Sequence, residues 1–342
     1  MAITCRRQSF PPHTIQCGGR RARRLAWVTV VAIASLADVQ LAFAQVAVEF
    51  HRTLTMTARE PLTLEVEVPG GDLQILYGRD GQVSIAGFAK ASASARLEDN
   101  FFLALLTIGQ EGNHLTIRHV PNPAYPEEGI QVSYRIDVPY RTEVTSTLNR
   151  GKQSIRGILG PVKAVTDKGD IMAAYISKGL EAQVGSGNLD LQVIGEHVEA
   201  KAGSGNISCA RLPQGVSAET GDGDITLVVV GPSTATVKRG TGRIDVGGAR
   251  GTFIGSTDGG DIQVKAKPHD DWQLRSASGN VRLDLPPVAN FELDASTDYG
   301  GFQFDRDDIT RSDTDPHHFH QKISGGGKQI EVRTNSGKIV IR

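Results

Sequence analysis

Gly151-Lys152, Gly169-Asp170, Gly187-Asn188, Gly205-Asn206 and Gly223-Asp224 punctuate the stretch from Asn149 to Asp224 at intervals of 18 residues. Four of these pairs are followed by an apolar residue, Ile171, Leu189, Ile207 and Ile225. Two places further on stand Ala173, Leu191, Cys209 and Leu227. The first pair departs, with Gln153 and Ser154 before Ile155. A fixed period of this kind is the signature of a repeat architecture. Within one repeat, apolar residues fall at every second position, as at Val198, Ala200 and Ala202, which puts them on one face of a strand. Each repeat therefore reads as strand, glycine turn, strand and return loop.

One such unit cannot bury its inward face alone. Stacked copies can, at about 4.8 Å per coil. The expectation is an all-β fold, a parallel β-solenoid of about 18 residues per coil. The series continues through Gly242-Arg243-Ile244, Gly260-Asp261-Ile262 and Gly279-Asn280-Val281 at steps of 19, 18 and 19, and closes with Gly301 and Gly337-Lys338-Ile339. Written coil by coil, the residue after the turn glycine never places two carboxylates side by side. Arg243 falls between Asp224 and Asp261, an order that avoids like-charge repulsion and predicts attraction on both sides.

Outward from the repeats, residues 1–44 read as a signal peptide. Arg20, Arg21, Arg23 and Arg24 form a basic region, Leu25 to Leu36 an apolar core, and Ala42-Phe43-Ala44 a small-x-small cleavage site. No later run is long and apolar enough for a membrane span. Residues 45–148 are strand-like without the period and are expected to form an N-terminal β-rich capping region that covers the open end of the solenoid. Leu62 to Val68, the Pro69-Gly70-Gly71-Asp72 turn and Leu73 to Ile75 read as a single coil. Ala95 to Leu106 has helical spacing at 97, 101, 102, 105 and 106, with a strand as the open alternative. Pro121 to Pro126 reads as a loop. Residues 149–342 are the solenoid repeats, interrupted at 305–324 by a polar loop rich in Asp and His. Because it breaks the period, residues 306–322 are expected to be removable without loss of stability.

Lys and Arg total 37 against 38 Asp and Glu, a net charge of −1 that excludes a polybasic nucleic-acid footprint. Of the 3 cysteines, Cys5 and Cys17 fall in the leader, and Cys209 alone cannot form an internal disulfide. Its ladder position, shared with Leu191 and Leu227, predicts a small buried hydrophobe.

Several features resemble the bacterial putative-adhesin β-strand-repeat family, a domain of unknown function. They are Val138-Pro139-Tyr140 leading into Thr145 to Gly151, the Gly-Ser-Gly-Asn and Gly-Asp-Gly-Asp turns at 185–188 and 221–224, and the ending from Gly325 to Ile341. The resemblance covers most of residues 50–342. It implies an exported, non-enzymatic β-solenoid at the cell envelope, with an adhesin-like binding or structural role.

Three constellations invite chemistry. Asp170, Asp224 and Asp261 occupy equivalent turns, as in solenoid enzymes that cleave polysaccharides, but Asp and Asn are also what tight turns need. A calcium roll would repeat its glycine turn every nine residues rather than every 18. Asp315, His317, His318 and His320 offer oxygen and nitrogen ligands suited to zinc or copper, although ligands so close in sequence seldom complete a closed site. No catalytic or cofactor-binding residue is expected, and no cofactor. The partner is an envelope or surface protein or glycan, and the location periplasm, cell surface or secreted. A β-helix carbohydrate-active enzyme is the alternative from another class. The resemblance adds a further one, a regulatory scaffold in envelope-stress sensing.

Overall fold

The computed structural model describes residues 27–30, 46–55, 61–91, 101–120, 122, 130–238, 242–310 and 315–342. Arg20 to Arg24 and Ala42 to Ala44, the residues read as the basic region and cleavage site of a signal peptide, and the loop from Pro123 to Pro126 lie outside the described residues. Trp27–Val30, within the apolar run Leu25 to Leu36, lies antiparallel on Val46–Thr55.

The coils build a parallel β-solenoid of two long sheets, one of 15 and one of 14 strands. Each regular coil gives one strand to each. Leu180–Ser186 runs in the 14-stranded sheet, the chain turns at Gly187-Asn188, and Leu189–Ile194 returns in the 15-stranded sheet. Register is strict. Ile171 pairs with Leu189, Leu189 with Ile207, and Ile207 with Ile225, so like side chains stack in columns inside the solenoid. The turn glycines stack as closely as the strands. Gly187 has φ 140°, and a Cβ there would meet the Gly169 carbonyl oxygen at 2.1 Å. Only glycine tolerates both the backbone angle and the approach.

The irregular first coil keeps this register. Gln153 pairs with Ile171 on one side and Leu73 on the other, and so points into the core. It is fully buried. Its Oε1 accepts from Ser146 Oγ at 2.6 Å, and its Nε2 donates to Val165 O at 2.7 Å and Thr166 Oγ1 at 2.9 Å. A closed polar network fills a place that isoleucine or leucine holds in the neighbouring coils.

Both ends depart from sequential stacking. The coil of Leu62–Gly70 and Asp72–Tyr77 lies between that of His114–His119 and Ile130–Val138 and that of Thr142–Arg150 and Gln153–Ile158. Residues 45–148 are therefore partly solenoid, because their parallel strands continue both sheets. Capping falls to antiparallel strands: Gln82–Ala91 and Val46–Thr55 on one sheet, Leu106–Glu111 on the other. The expected helix is described only over Phe101–Leu105. It plugs the end of the core: Phe102 meets Phe50 at 5.8 Å and Tyr134 at 6.1 Å between ring centroids.

At the other end, Lys328–Thr334 and Ile339–Ile341 lie between the coil of Trp272–Ser276 and Val281–Asp284 and that of Phe291–Thr297 and Phe302–Phe304. Here the expectation of a free polar loop at 305–324 is corrected. His318–Ile323 is a strand, antiparallel to Phe291–Thr297. Its alternation buries Phe319 and Ile323 while the histidines face out. Phe319 packs on Phe304 at 4.4 Å between centroids. Arg306, its side chain only 5% exposed, bonds Asp308 at 2.7 Å and the carbonyls of Leu285, Pro286 and Pro287. The segment covers the core, so the expectation that 306–322 is dispensable is reversed.

Candidate binding surface

The turn ladder is structural. In successive coils the Oδ1 of one turn residue accepts the backbone N–H of the next: Asn188 N to Asp170 at 2.9 Å, Asn206 N to Asn188 at 2.9 Å, Asp224 N to Asn206 at 2.8 Å, Arg243 N to Asp224 at 2.7 Å. The carboxylates serve as acceptors in line with amides, which accounts for Asp and Asn interchanging along the column. Arg243 does not bridge Asp224 and Asp261 as its place in the order predicts. Its guanidinium turns to Asp245 at 2.9 Å and to Gln263. Lys152 and Arg243 have no acceptor to offer the next coil; Lys152 Nζ reaches the Asp170 carboxylate there only at 3.7 Å, an exposed pair that contributes little. Lys152→Asn and Arg243→Asn should therefore each stabilise the protein in urea denaturation by about 0.5–1 kcal/mol, by restoring one hydrogen bond. Asn188→Ala should lose about as much. A destabilised Lys152→Asn would sink the ladder argument.

The metal-ligand candidates are held apart. His318 Nε2 sits 3.0 Å from Asp294 and His320 Nε2 3.2 Å from Glu292, so each histidine takes its own carboxylate from the neighbouring strand. His317 Nδ1 lies 3.1 Å from Thr297 O, and Asp315 Oδ1 accepts the backbone N–H of His317 at 2.8 Å. Among the described residues no group of three or more His, Cys, Asp or Glu is arranged to hold a metal ion.

Cys209 stacks between Leu191 and Leu227 and is buried. Burial pushes its thiol up to about 12, with a smaller contribution from Asp190. The reactive thiolate is thus nearly absent at neutral pH. Labelling by a thiol reagent should be about 100-fold slower in the native than in the denatured protein. Rapid native labelling would contradict the register.

The two outer faces differ. On the 14-stranded sheet several charges pair with one another: Lys163 with Glu181 at 2.8 Å, Lys201 with Glu199, and Lys238 with Glu219 at 2.5 Å. The hydrogen bond from Lys201 holds the Glu199 carboxyl below its usual range and raises the Lys201 ammonium above its own.

The 15-stranded sheet carries a different feature along one corner. Tyr175, Val193, Arg211 and Val229 occupy one position in successive coils, and all are left-handed, with φ of 59°, 55°, 58° and 54°. Gly157 at 75° and Gly248 at 86° hold the same position in the flanking coils. The left-handed residue bends the chain over the core, so the inward residue after Ala173 is Ile176 rather than Tyr175. Its own side chain is thrown outward: Tyr175 is 62% exposed, and Arg211 and Val229 are exposed too. A non-glycine residue in this conformation costs roughly 1–2 kcal/mol, and more for β-branched valine. Sequence reading missed this ridge because Tyr, Val and Arg give no turn signal. The available signal was Gly157 and Gly248 at matching coil positions, and the three-residue step from Ala173 to Ile176.

Fold and surface together define a parallel β-solenoid repeat protein with one self-paired charged face and one strained, side-chain-bearing corner. The chain belongs to the Toastrack DUF4097 family, whose model matches residues 63–342. It is also similar to two solved structures. One is a putative cell adhesion protein from Clostridium sporogenes, at 10% identity and TM-score 0.24. The other is a putative adhesin from Bacteroides fragilis, at 13% identity and TM-score 0.33. Each alignment covers 86% of this chain and 97% of the other. No curated protein matches the chain.

Proposed function

We propose that this chain is an exported, non-enzymatic binding module of the cell envelope, adhesin-like in that it holds a surface partner on the outside of its solenoid. The left-handed ridge carries the reading. Glycine fills this position in the flanking coils, at Gly157 and Gly248, yet four coils between them keep Tyr, Val, Arg and Val and bear the strain. Backbone strain of this kind marks places where side chains are wanted for something other than stability. Among the described residues no helix is long and apolar enough to cross a membrane.

Export is supported by the basic region, apolar core and Ala42-Phe43-Ala44 site. The protein recovered from a bacterial envelope should begin at Gln45 on N-terminal sequencing, and immobilised it should retain a component of envelope extract. Recovery with the leader intact would sink the export reading, and an extract that leaves nothing on the column would sink the binding reading.

A further inference from the structure

We infer that the ridge binds an extended acidic polysaccharide laid along the solenoid axis, an assignment that rests on the binding reading above and names its ligand. Coil by coil, this corner presents Tyr77, then Arg156 beside Gly157, then Tyr175, Val193 and Arg211. Each step is about 4.8 Å, comparable to one sugar unit of an extended 1,4-linked chain. The surface therefore repeats in step with such a polymer.

The side chains suit it. Tyr77 and Tyr175 are 55% and 62% exposed and stand two coils apart. Each offers an apolar ring to the C–H face of a pyranose and a hydroxyl to its polar rim. Between them Gly157 has no side chain. A Cβ there would meet the Tyr77 Cβ at 3.0 Å, so glycine leaves the floor between the rings open. Arg156 and Arg211 are exposed, and among the described residues neither makes a hydrogen bond or ion pair. A guanidinium takes a carboxylate through two parallel N–H donors. The carboxylates near this face are engaged: Asp190 accepts from the Gln192 amide at 2.9 Å, Asp137 pairs with Arg135 at 3.0 Å and Glu196 with Lys178 at 2.8 Å. On the opposite sheet Lys163, Lys201 and Lys238 are already neutralised by glutamates. An anion thus finds free guanidiniums on the ridge beside the two rings; across the molecule Lys163, Lys201 and Lys238 are paired, and Arg150 and Lys168, unpaired among the described residues, stand at the far edge of that sheet, beside the turn glycines. The ridge is a line one or two side chains wide, which fits a single polymer strand better than the broad buried core of a protein interface.

The test uses the protein exported from its full reading frame. Affinity electrophoresis is run through gels holding polygalacturonate, its methyl-esterified form, or a neutral β-glucan. Polygalacturonate should retard the protein, and esterification or added salt should weaken the effect. Tyr175→Gly and Arg211→Gly relieve the left-handed strain, so both variants should melt no lower than the parent. Each should weaken binding about tenfold, while Lys163→Ala on the opposite sheet leaves it unchanged. The inference is overturned if the parent ignores polygalacturonate, if both glycine variants bind like the parent, or if Lys163→Ala lowers binding equally. Retention of the parent on envelope extract without binding to polygalacturonate rejects the polysaccharide and leaves the binding reading standing. Failure on both rejects both. An extract protein released by Tyr175→Gly assigns the ridge to a protein partner instead.

Discussion

Gly187→Ala should destabilise the solenoid by about 4 kcal/mol, enough to remove most of the stability of an ordinary domain. Two effects act together. The φ of 140° lies where L-residues other than glycine are strained. The added Cβ also falls 2.1 Å from the Gly169 oxygen and 2.5 Å from its carbonyl carbon. Neither atom is the end of a flexible side chain, so the clash is relieved only by separating two coils. Separation also breaks the hydrogen bond from Gly169 N to Ser186 O, 2.8 Å, which joins the same two coils. Gly247→Ala is the control. The nearest atom to a Cβ there is Leu227 O at 3.9 Å, and the substitution should shift stability by about 0.5 kcal/mol or less. Urea denaturation followed by circular dichroism separates the two. Equal midpoints would mean that the turn glycines do not stack as described.

Gln153→Ala should cost about 3 kcal/mol, from a cavity in the core and from hydroxyls left without partners. Its amide joins Ser146, Val165 and Thr166 across two adjacent coils. Gln153→Leu fills the volume as Leu73 and Leu189 do in the same column, but still strands the Ser146 and Thr166 hydroxyls, so it should recover only part of the loss. Combining Gln153→Leu with Ser146→Ala and Thr166→Val makes the site apolar throughout. Ser146 already stands in a column with Ala164, and Thr166 in one with Leu148 and Val184. The triple variant should return to within about 1 kcal/mol of the parent, because replacing all partners together leaves none unsatisfied. If Gln153→Ala alone matches the parent, the buried network contributes nothing.

The central coils were legible in the sequence because the same turn recurs every 18 residues and fixes what stacks on what. Cys209 could be placed inside from its column alone. The ends were not legible. Nothing in Leu62–Tyr77 states that its neighbours are Ile130–Val138 and Gln153–Ile158, since a strand's alternation gives its face and not its partner. The segment 305–324 misled through composition. Its histidines and aspartates are polar, yet alternate positions place Phe319 and Ile323 over the core. Lys152 does reach the next turn of the column, its Nζ 3.7 Å from Asp170, but the ion-pairing read for Arg243 failed for a related reason. The spacing of Arg243 was right, but its long side chain reaches along the strand to Asp245 rather than across to the neighbouring turn. The ridge was hidden because a left-handed tyrosine or valine is written with the same letter as an extended one.

The interleaved ends have a consequence for how the molecule is completed. In a simple stack the outermost coil is the last to join and the easiest to lose, and trimming shortens the object without wounding it. Here residues 328–341 form an interior layer, with Trp272–Ser276 and Val281–Asp284 on one side and Phe291–Thr297 and Phe302–Phe304 on the other. A polypeptide halted after residue 327 is missing a middle slice, with Phe291–Thr297 paired to His318–Ile323 but without the layer that joins it to the coil of Trp272–Ser276. The solenoid therefore cannot finish by zipping progressively from one end. Its closing step waits until the segment from 328 onward is available.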